Sequence, residues 1–492
     1  GTMKEIKRKD SFSKLVVTTC MSLILTACGN NNDTVIDTAP VPVTTIKSAI
    51  VVGAGLSGLT AAYELEQIGY QVTVIEAKDH IGGRVGTLNI GDQHGEIGGE
   101  FIDGETVHTH IHQYANQFGV ELADTGYSGD TESGAYYVKG KLISYTEFDD
   151  SFDPSVVNDY YRFYDELDLL TAAIPDPDKP AELEQAIEYD LMTTQTWIDQ
   201  LHLNPSAKLL AEQWVRGEFD EPSDLSLLHI VQYAKVYESV NEDDVEAFRF
   251  LNGGKAMVDA FADNITGTII LGQPVTQITQ VENVISVTTA NGNIHTSDVI
   301  VVTVPLGVLD KITFSPTLPD KLNEAAQALN YGSHSKVLLK YDTRFWLNQG
   351  LGGDTIVTGL PTGWTWETTE RQGGEGGILI TYTSGDYSQI QKHWSDEDII
   401  DARLEEIELM YPNSSQYFVE ASVHSWINDE WTQGGFLAYG PGQITKYWGA
   451  FQEPVGRIYF AGEHTDTRYL GFMEGAVRSG VRVSEQINEL NL

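Results

Sequence analysis

The sequence predicts an α/β protein: an open parallel sheet wound with helices and interrupted by a mixed α+β insertion. Three observations predict it. An apolar strand, Ala49-Ile50-Val51-Val52, runs into Gly53-Ala54-Gly55-Leu56-Ser57-Gly58 and a helical stretch beginning Leu59-Thr60-Ala61-Ala62. A second apolar strand near the other terminus, Ile458-Tyr459-Phe460-Ala461, ends in Gly462-Glu463-His464-Thr465. Between them, long helical stretches give way to alternating short strands.

Each glycine of the first motif has a distinct task. Gly53 permits the tight turn, Gly55 lets backbone approach a pyrophosphate, and Gly58 lets helix and strand pack closely. The helix N-terminus can then face an anion. Glu76 ends the next strand, Val72-Thr73-Val74-Ile75, where such a fold sets an acid on ribose hydroxyls. The continuation Gly82-Gly83-Arg84 resembles the second phosphate-contacting loop of glutathione-reductase-like FAD proteins, so the expected cofactor is FAD on a Rossmann domain. Arg84 offers a planar donor fork to the pyrophosphate or to the flavin side.

The expected FAD domain is discontinuous, over residues 47–125, 251–310 and 426–492, with a mixed α+β substrate domain over 126–250 and 311–425. Gly95-Glu96-Ile97-Gly98-Gly99-Glu100 reads as a glycine-rich loop, and Asn291-Gly292 marks a hairpin between two strands. At 492 residues the chain holds more than one core. A formal net charge of −41 argues against nucleic acid and anionic membrane surfaces as partners and favours small cations.

Residues 1–27 read as a leader: Lys4, Lys7, Arg8, Lys9 and Lys14 precede an apolar run from Leu15 to Thr26. Leu25-Thr26-Ala27-Cys28 resembles a bacterial lipoprotein cleavage box, which implies acylation of Cys28 and a polar tether over 28–46. The protein is then expected in the bacterial cell envelope, on the membrane through this anchor only. Cys20 and Cys28 are the two cysteines, so the folded body has no disulfide, cysteine metal ligand or thiol nucleophile. No metal site is expected: His108, His110 and His112 alternate without a carboxylate-rich ligand set and read as a solvated helix start.

With these residues in place, the chain resembles the flavin-containing amine oxidases: monoamine oxidases, polyamine oxidases and bacterial L-amino-acid oxidases. Two further blocks carry the likeness, Val304-Pro305-Leu306-Gly307-Val308-Leu309 and Lys336 ten residues before Trp346. The resemblance implies that Lys336 holds a water at flavin N5; the alternative is a surface strand lysine. It implies that Phe436 and Phe472 flank the substrate nitrogen and that Glu463 binds the ribityl chain. It further implies cofactor contacts at Gly98, Gly99, Val275, Gly462 and Met473, in addition to Gly53, Gly55, Gly58, Glu76, Gly83 and Arg84. Backbone donors at Gly471-Phe472-Met473-Glu474 are expected to stabilise charge at flavin N1 and O2. Some relatives attach flavin through a cysteine where this chain has Gly435, so FAD is expected to be held non-covalently.

Substrate class turns on the segment after the glycine-rich loop. L-amino-acid oxidases of the family place a carboxylate-binding arginine there, and this chain reads Gly99-Glu100-Phe101-Ile102-Asp103. Glu100 and Asp103 therefore favour an amine, a di- or polyamine ahead of an arylalkylamine, with oxygen as co-substrate. Asp103 reads equally as the N-cap of a helix over Thr106 to Tyr114. Trp364 and Trp366 line the substrate channel or pack their strand. The rival functions are an L-amino-acid oxidase of the same fold and a non-catalytic, flavin-retaining, lipid-anchored binding protein.

Overall fold

The computed structural model describes residues 46–126 and 132–492; the expected leader, nearly all of the tether, and Cys28 lie outside the described residues. Five parallel strands form the first sheet, in the order Ile458–Phe460, Val299–Val302, Ser48–Val52, Gln71–Ile75, Thr268–Ile270. Val51 pairs with Val301 on one side and Val74 on the other, and all three are fully buried. Strands covered on both faces carry continuous apolar runs, which is the pattern of Ala49–Val52 and Val299–Val302. Helix Leu56–Gln67 follows the first strand and packs against the C-terminal helix Met473–Asn488. Gly480 makes that approach possible, since a Cβ there would stand 2.7 Å from the Ser57 carbonyl oxygen.

The strands Val284–Thr289 and Ile294–Ser297 form the hairpin expected around Asn291-Gly292, with Gly292 at φ +84°. They belong to a four-stranded sheet with Val275–Val281 and Thr313–Ser315. Thr313–Ser315 thus pairs with residues 277–279 rather than with the strands that follow it, a few residues beyond the boundary drawn at 310.

The largest sheet among the described residues has seven strands. Its order is Phe418–Ser425, His334–Tyr341, Gly377–Ser384, Trp364–Glu367, Leu351–Val357, Glu132–Val138, Lys141–Ser144. Helix Pro205–Glu218 packs against two of its strands, Leu351–Val357 and Gly377–Ser384, and helix Pro154–Thr171 packs on Pro205–Glu218 and on Leu227–Tyr237. Asp153, Asn204 and Ser226 cap their N-termini through side-chain oxygens, and proline fills the first turn of two of them. No helix among the described residues is long and apolar enough to cross a membrane.

Candidate active site

A cavity of about 610 Å³ runs from Gly53 and Glu76, at the carboxyl ends of the parallel strands, to Asp354 and Trp364 in the seven-stranded sheet. Its first half is made of backbone. Gly53 has φ +107°, and a Cβ on Gly58 would stand 2.0 Å from the Gly53 carbonyl oxygen, so strand and helix pack as the motif predicts. A Cβ on Gly55 would find no protein atom nearer than 3.8 Å. That glycine borders open space in front of the free N–H groups of the first helical turn. The second loop crosses at Gly82 and Gly83, whose backbone donates from Gly82 N to the Ala54 carbonyl at 2.8 Å.

Glu76 lines this end. Its carboxylate accepts from Ala54 N at 2.7 Å and Lys78 N at 2.9 Å, which aims it across the turn. Val275 lies at the same wall. Gly98 and Gly99 admit close packing, because side chains there would strike the Arg84 carbonyl oxygen at 1.9 Å and Met473 Cγ at 2.9 Å.

Arg84 and Glu463 differ from their expected independent roles by pairing with each other. Arg84 Nη1 lies 2.7 Å from Glu463 Oε1 and donates to the Gly435 carbonyl at 2.8 Å. Glu463 also accepts from Gly471 N at 2.8 Å and Leu437 N at 3.3 Å. The pair ties three chain segments into one wall. Gly462, at φ +131°, turns the chain into it.

Lys336 is buried rather than a surface lysine. Its Nζ donates to the Gly98 carbonyl at 2.7 Å, with longer contacts to the Glu96 carbonyl at 3.3 Å and Glu100 Oε2 at 3.4 Å. The Trp366 ring lies 5.0 Å away. Burial holds its ammonium below the usual lysine range, against the opposing pull of Glu100. Phe436 and Phe472 both face the cavity. Phe436 presses against Gly471, and Phe472 stacks near-parallel on Tyr233 at 6.4 Å and 9°. Helix Met473–Asn488 presents its first turn to the same space, with Met473 on the wall.

Glu100 and Asp103 are not the free acids expected for a substrate cation. Glu100 reaches the cavity, but accepts from Thr368 Oγ1 at 2.6 Å and Trp366 Nε1 at 2.9 Å, beside Lys336 and with Arg249 Nη2 at 3.7 Å. Despite burial its carboxyl is held below the usual range by Lys336 and Arg249. Asp103 lies behind the wall: Tyr237 donates to it at 2.6 Å and Glu246 N at 2.7 Å. Nor is it a helix cap, because the helix spans Thr109–Phe118 with His108 at the cap. That helix is capped by buried Glu474, which accepts from His110 N and Ile111 N at 3.0 and 2.9 Å.

The three histidines go separate ways. His108 is buried beside Asp103 rather than solvated, His110 meets Glu474, and His112 donates to the Asp103 carbonyl. Among the described residues no group of three or more metal-ligating side chains occurs.

The sequence reading missed Arg249, Glu218, Asp354, His334 and Tyr382, all on the cavity wall. Arg249 is a buried guanidinium between Glu100 and Glu370, with Glu370 at 3.2 Å and the Glu367 carbonyl at 3.0 Å. Glu218 and Asp354 stand in the half of the cavity that also holds Tyr145, Trp214 and Trp364. Trp364 links them, packing against Gly217 and donating from Nε1 to Asp354 at 2.8 Å. Among the described residues neither acid pairs with a lysine or arginine. Burial pushes Glu218 up to about 7, helped by Glu246 and Asp103 nearby, and Asp354 up to about 6.

A glycine-lined cradle with two helix N-termini opening into one elongated cavity, next to a buried lysine and an aromatic slot, defines a dinucleotide-dependent oxidoreductase site. The sequence profile described as flavin containing amine oxidoreductase matches residues 56–488, and the chain belongs to that family. A flavin-containing amine oxidase from Danio rerio is 29% identical over 457 residues, covering 89% of this chain and 85% of its own. The flavin-containing amine oxidase B of Homo sapiens is 28% identical over the same length, with the same coverage. Cyclohexylamine oxidase from Brevibacterium oxydans superimposes with a TM-score of 0.83, at 25% identity, over 91% of this chain and 100% of its own. Putrescine oxidase bound to putrescine gives 0.82 at 24% identity, over 90% and 99%, a likeness of fold. FAD is the cofactor. Gly435 and the cysteine-free folded body leave no cysteine sulfur for a covalent link.

Proposed function

We propose that the protein oxidises a small amine, a primary amine or a di- or polyamine, to an imine that water splits into aldehyde and ammonia or a shorter amine. Oxygen takes the two electrons and two protons and leaves as hydrogen peroxide. The observation carrying this reading is the placement of buried Lys336 between the cofactor cradle at Gly98 and the aromatic half of the cavity. When bound, FAD accepts hydride from the substrate α-carbon.

The chain's own residues would do the rest. Gly53, Gly55, Gly58, Gly83 and the first turn of helix Leu56–Gln67 would hold the pyrophosphate, and Glu76 a ribose. Glu463 and Arg84 would fix the wall behind the ribityl chain. The first turn of helix Met473–Asn488 would stabilise negative charge at the pyrimidine end of the ring. Two of the three Lys336 contacts are long, so its ammonium can turn a hydrogen toward a water in the cavity. Phe436, Phe472, Trp364 and Trp366 would exclude bulk water and orient the amine. The acid suited to a second ammonium is Glu218 or Asp354 rather than Glu100 or Asp103, since those two are already satisfied. Arg249 is likewise engaged by Glu370, Glu100 and a carbonyl, which supports an amine over an amino acid.

A peroxide assay across putrescine, spermidine, phenethylamine, tyramine and the L-amino acids, paired with anaerobic bleaching of the flavin, tests the reading. We expect bleaching by amines. Bleaching by L-amino acids alone would move the assignment to an L-amino-acid oxidase, and none at all would leave a flavin-retaining binding protein. Acid precipitation should release all flavin into the supernatant. The same proposal puts the mature protein on a bacterial envelope membrane through acylated Cys28. Cys28→Ser should abolish membrane fractionation while leaving kinetics of the folded body unchanged; retained fractionation would reject the anchor.

A further inference from the structure

Phe436, taken above as one ring of the substrate slot, is held by a device the sequence reading missed. His334 opens strand His334–Tyr341 two residues before Lys336, so both side chains leave the same face of the strand. Its ring is 1% exposed and sandwiched. Tyr382 stacks on one side at 5.2 Å and 1°, and Phe436 on the other at 4.5 Å and 17°. All three rings border the cavity.

Both imidazole nitrogens are tethered. Nε2 lies 2.9 Å from the Phe219 carbonyl, which can only accept, so Nε2 carries the proton and donates. Nδ1, 3.1 Å from Ser384 Oγ, then accepts from the hydroxyl. The tautomer is fixed and the ring cannot turn without breaking a buried bond. Burial also holds the imidazole down at about 3, so it stays neutral.

The surrounding chain leaves room for this ring in two places. A Cβ on Gly435 would stand 2.3 Å from His334 Cδ2, and one on Gly332 would stand 2.6 Å from His334 Nε2. The two glycines bond to each other through Gly435 N and the Gly332 carbonyl at 2.8 Å. Gly471 presses Phe436 from another direction, its Cβ position 3.2 Å from Phe436 Cδ2. Phe436 is therefore confined between an imidazole face and a glycine backbone.

We infer that His334 is a positioning residue that sets the plane of Phe436 and, with Tyr382, forms a three-ring wall fixing the width of the substrate slot. The inference rests on the amine-oxidase reading for what the slot holds. The tether from His334 to the Phe219 carbonyl also couples this wall to Glu218, the neighbouring residue in the chain.

The test is a double-mutant cycle between positions 334 and 435 in the FAD-loaded enzyme, read as KM and kcat for the best amine of the panel, with FAD affinity measured by flavin fluorescence. Gly435→Ala drives a methyl into the ring and His334→Ala removes it. Each should raise KM about tenfold, and His334→Ala should keep kcat and FAD affinity within threefold of wild type. The double variant should be no worse than the poorer single, because the methyl then has space. His334→Phe keeps the stack without the tethers and should retain KM within threefold while lowering the melting temperature; His334→Gln keeps a donor without the ring and should not. Additive losses in the cycle, an unchanged KM in His334→Ala, or loss of FAD affinity in step with KM in His334→Ala would each overturn the positioning role. Failure of every amine to bleach the wild-type flavin would instead reject the amine-oxidase reading. The wall could still be judged then, since Gly435→Ala should lower the melting temperature in wild type but not in the His334→Ala background.

Discussion

The two halves of the cavity are built from different material. The cofactor half is backbone: glycines at 53, 55, 58, 82, 83, 98 and 99, with helix first turns aimed into the space between them. The substrate half is side chain: Tyr145, Trp214, Tyr233, Trp364, Trp366, Tyr382, and acids whose partners arrive from other segments. A site made of backbone writes itself into local sequence, because only glycine fits where a Cβ would strike a carbonyl. A site made of side chains depends on which strand registers with which, and local sequence does not carry that.

The largest effects should fall in the backbone half and should split by position. Gly58→Val places carbon 2.0 Å from the Gly53 carbonyl, so both fold and cofactor site must yield. We expect FAD affinity to fall at least about a hundredfold, or roughly 2.7 kcal/mol, together with a lower melting temperature of the apoprotein. Gly55→Ala adds a methyl with no protein atom within 3.4 Å, its nearest neighbour being 3.8 Å away. Its apoprotein should melt as wild type does while FAD binds more weakly. Equal melting losses in the two variants, measured by calorimetry, would break the distinction between a packing glycine and a cofactor-facing one.

Legibility followed the same division. The first motif, Glu76 and the Gly82-Gly83-Arg84 loop lie where the sequence placed them, because a strand, a turn and a helix in succession determine their own geometry. Lys336 also lines the cavity, as the family resemblance carried by its spacing from Trp346 implies. What failed was charge. Glu100 and Asp103 read as acids for a substrate cation because their segment lacks the arginine of the amino-acid oxidases, yet the fold brings Lys336 and Arg249 to Glu100 and Tyr237 to Asp103. Arg249 sits just before the turn into helix Gly254–Asp263, in strand Phe248–Phe250, and nothing in its own neighbourhood signals a buried ion pair. His334 escaped notice for the same reason: its stack joins strands that pair only in the folded sheet.

At the junction between the halves, Lys336→Met tests two things at once. Removing the ammonium leaves Glu100 buried with Arg249, at 3.7 Å, as its remaining cation, so the melting temperature should fall. Flavin reduction or reoxidation in stopped flow should slow at least about tenfold, roughly 1.4 kcal/mol in a barrier. Adding Glu100→Gln should recover much of the stability and none of the rate. Recovery of both would make Lys336 a counter-ion for Glu100 and nothing more.

The acids of the substrate half sharpen the comparison most. Burial raises Glu218 from an ordinary 4.5 to about 7, so its neutral form is the one the fold prefers. The stability it contributes is present below pH 4.5 and is lost as pH rises through about 7. The melting temperature without substrate should therefore fall between pH 5 and 8, and Glu218→Gln should flatten that fall. A diamine presenting an ammonium to the ionised carboxylate should oppose it at pH 8. With a charge-assisted contact of about 1.5–3 kcal/mol, Glu218→Gln should raise KM for a diamine roughly ten- to hundredfold more than for a monoamine. Asp103→Asn, behind the wall, should change melting temperature without altering that selectivity. If Asp103→Asn instead discriminates diamines from monoamines and Glu218→Gln does not, the second ammonium is read by Asp103, as the segment after the glycine-rich loop suggests, and the side-chain half of the cavity was legible after all.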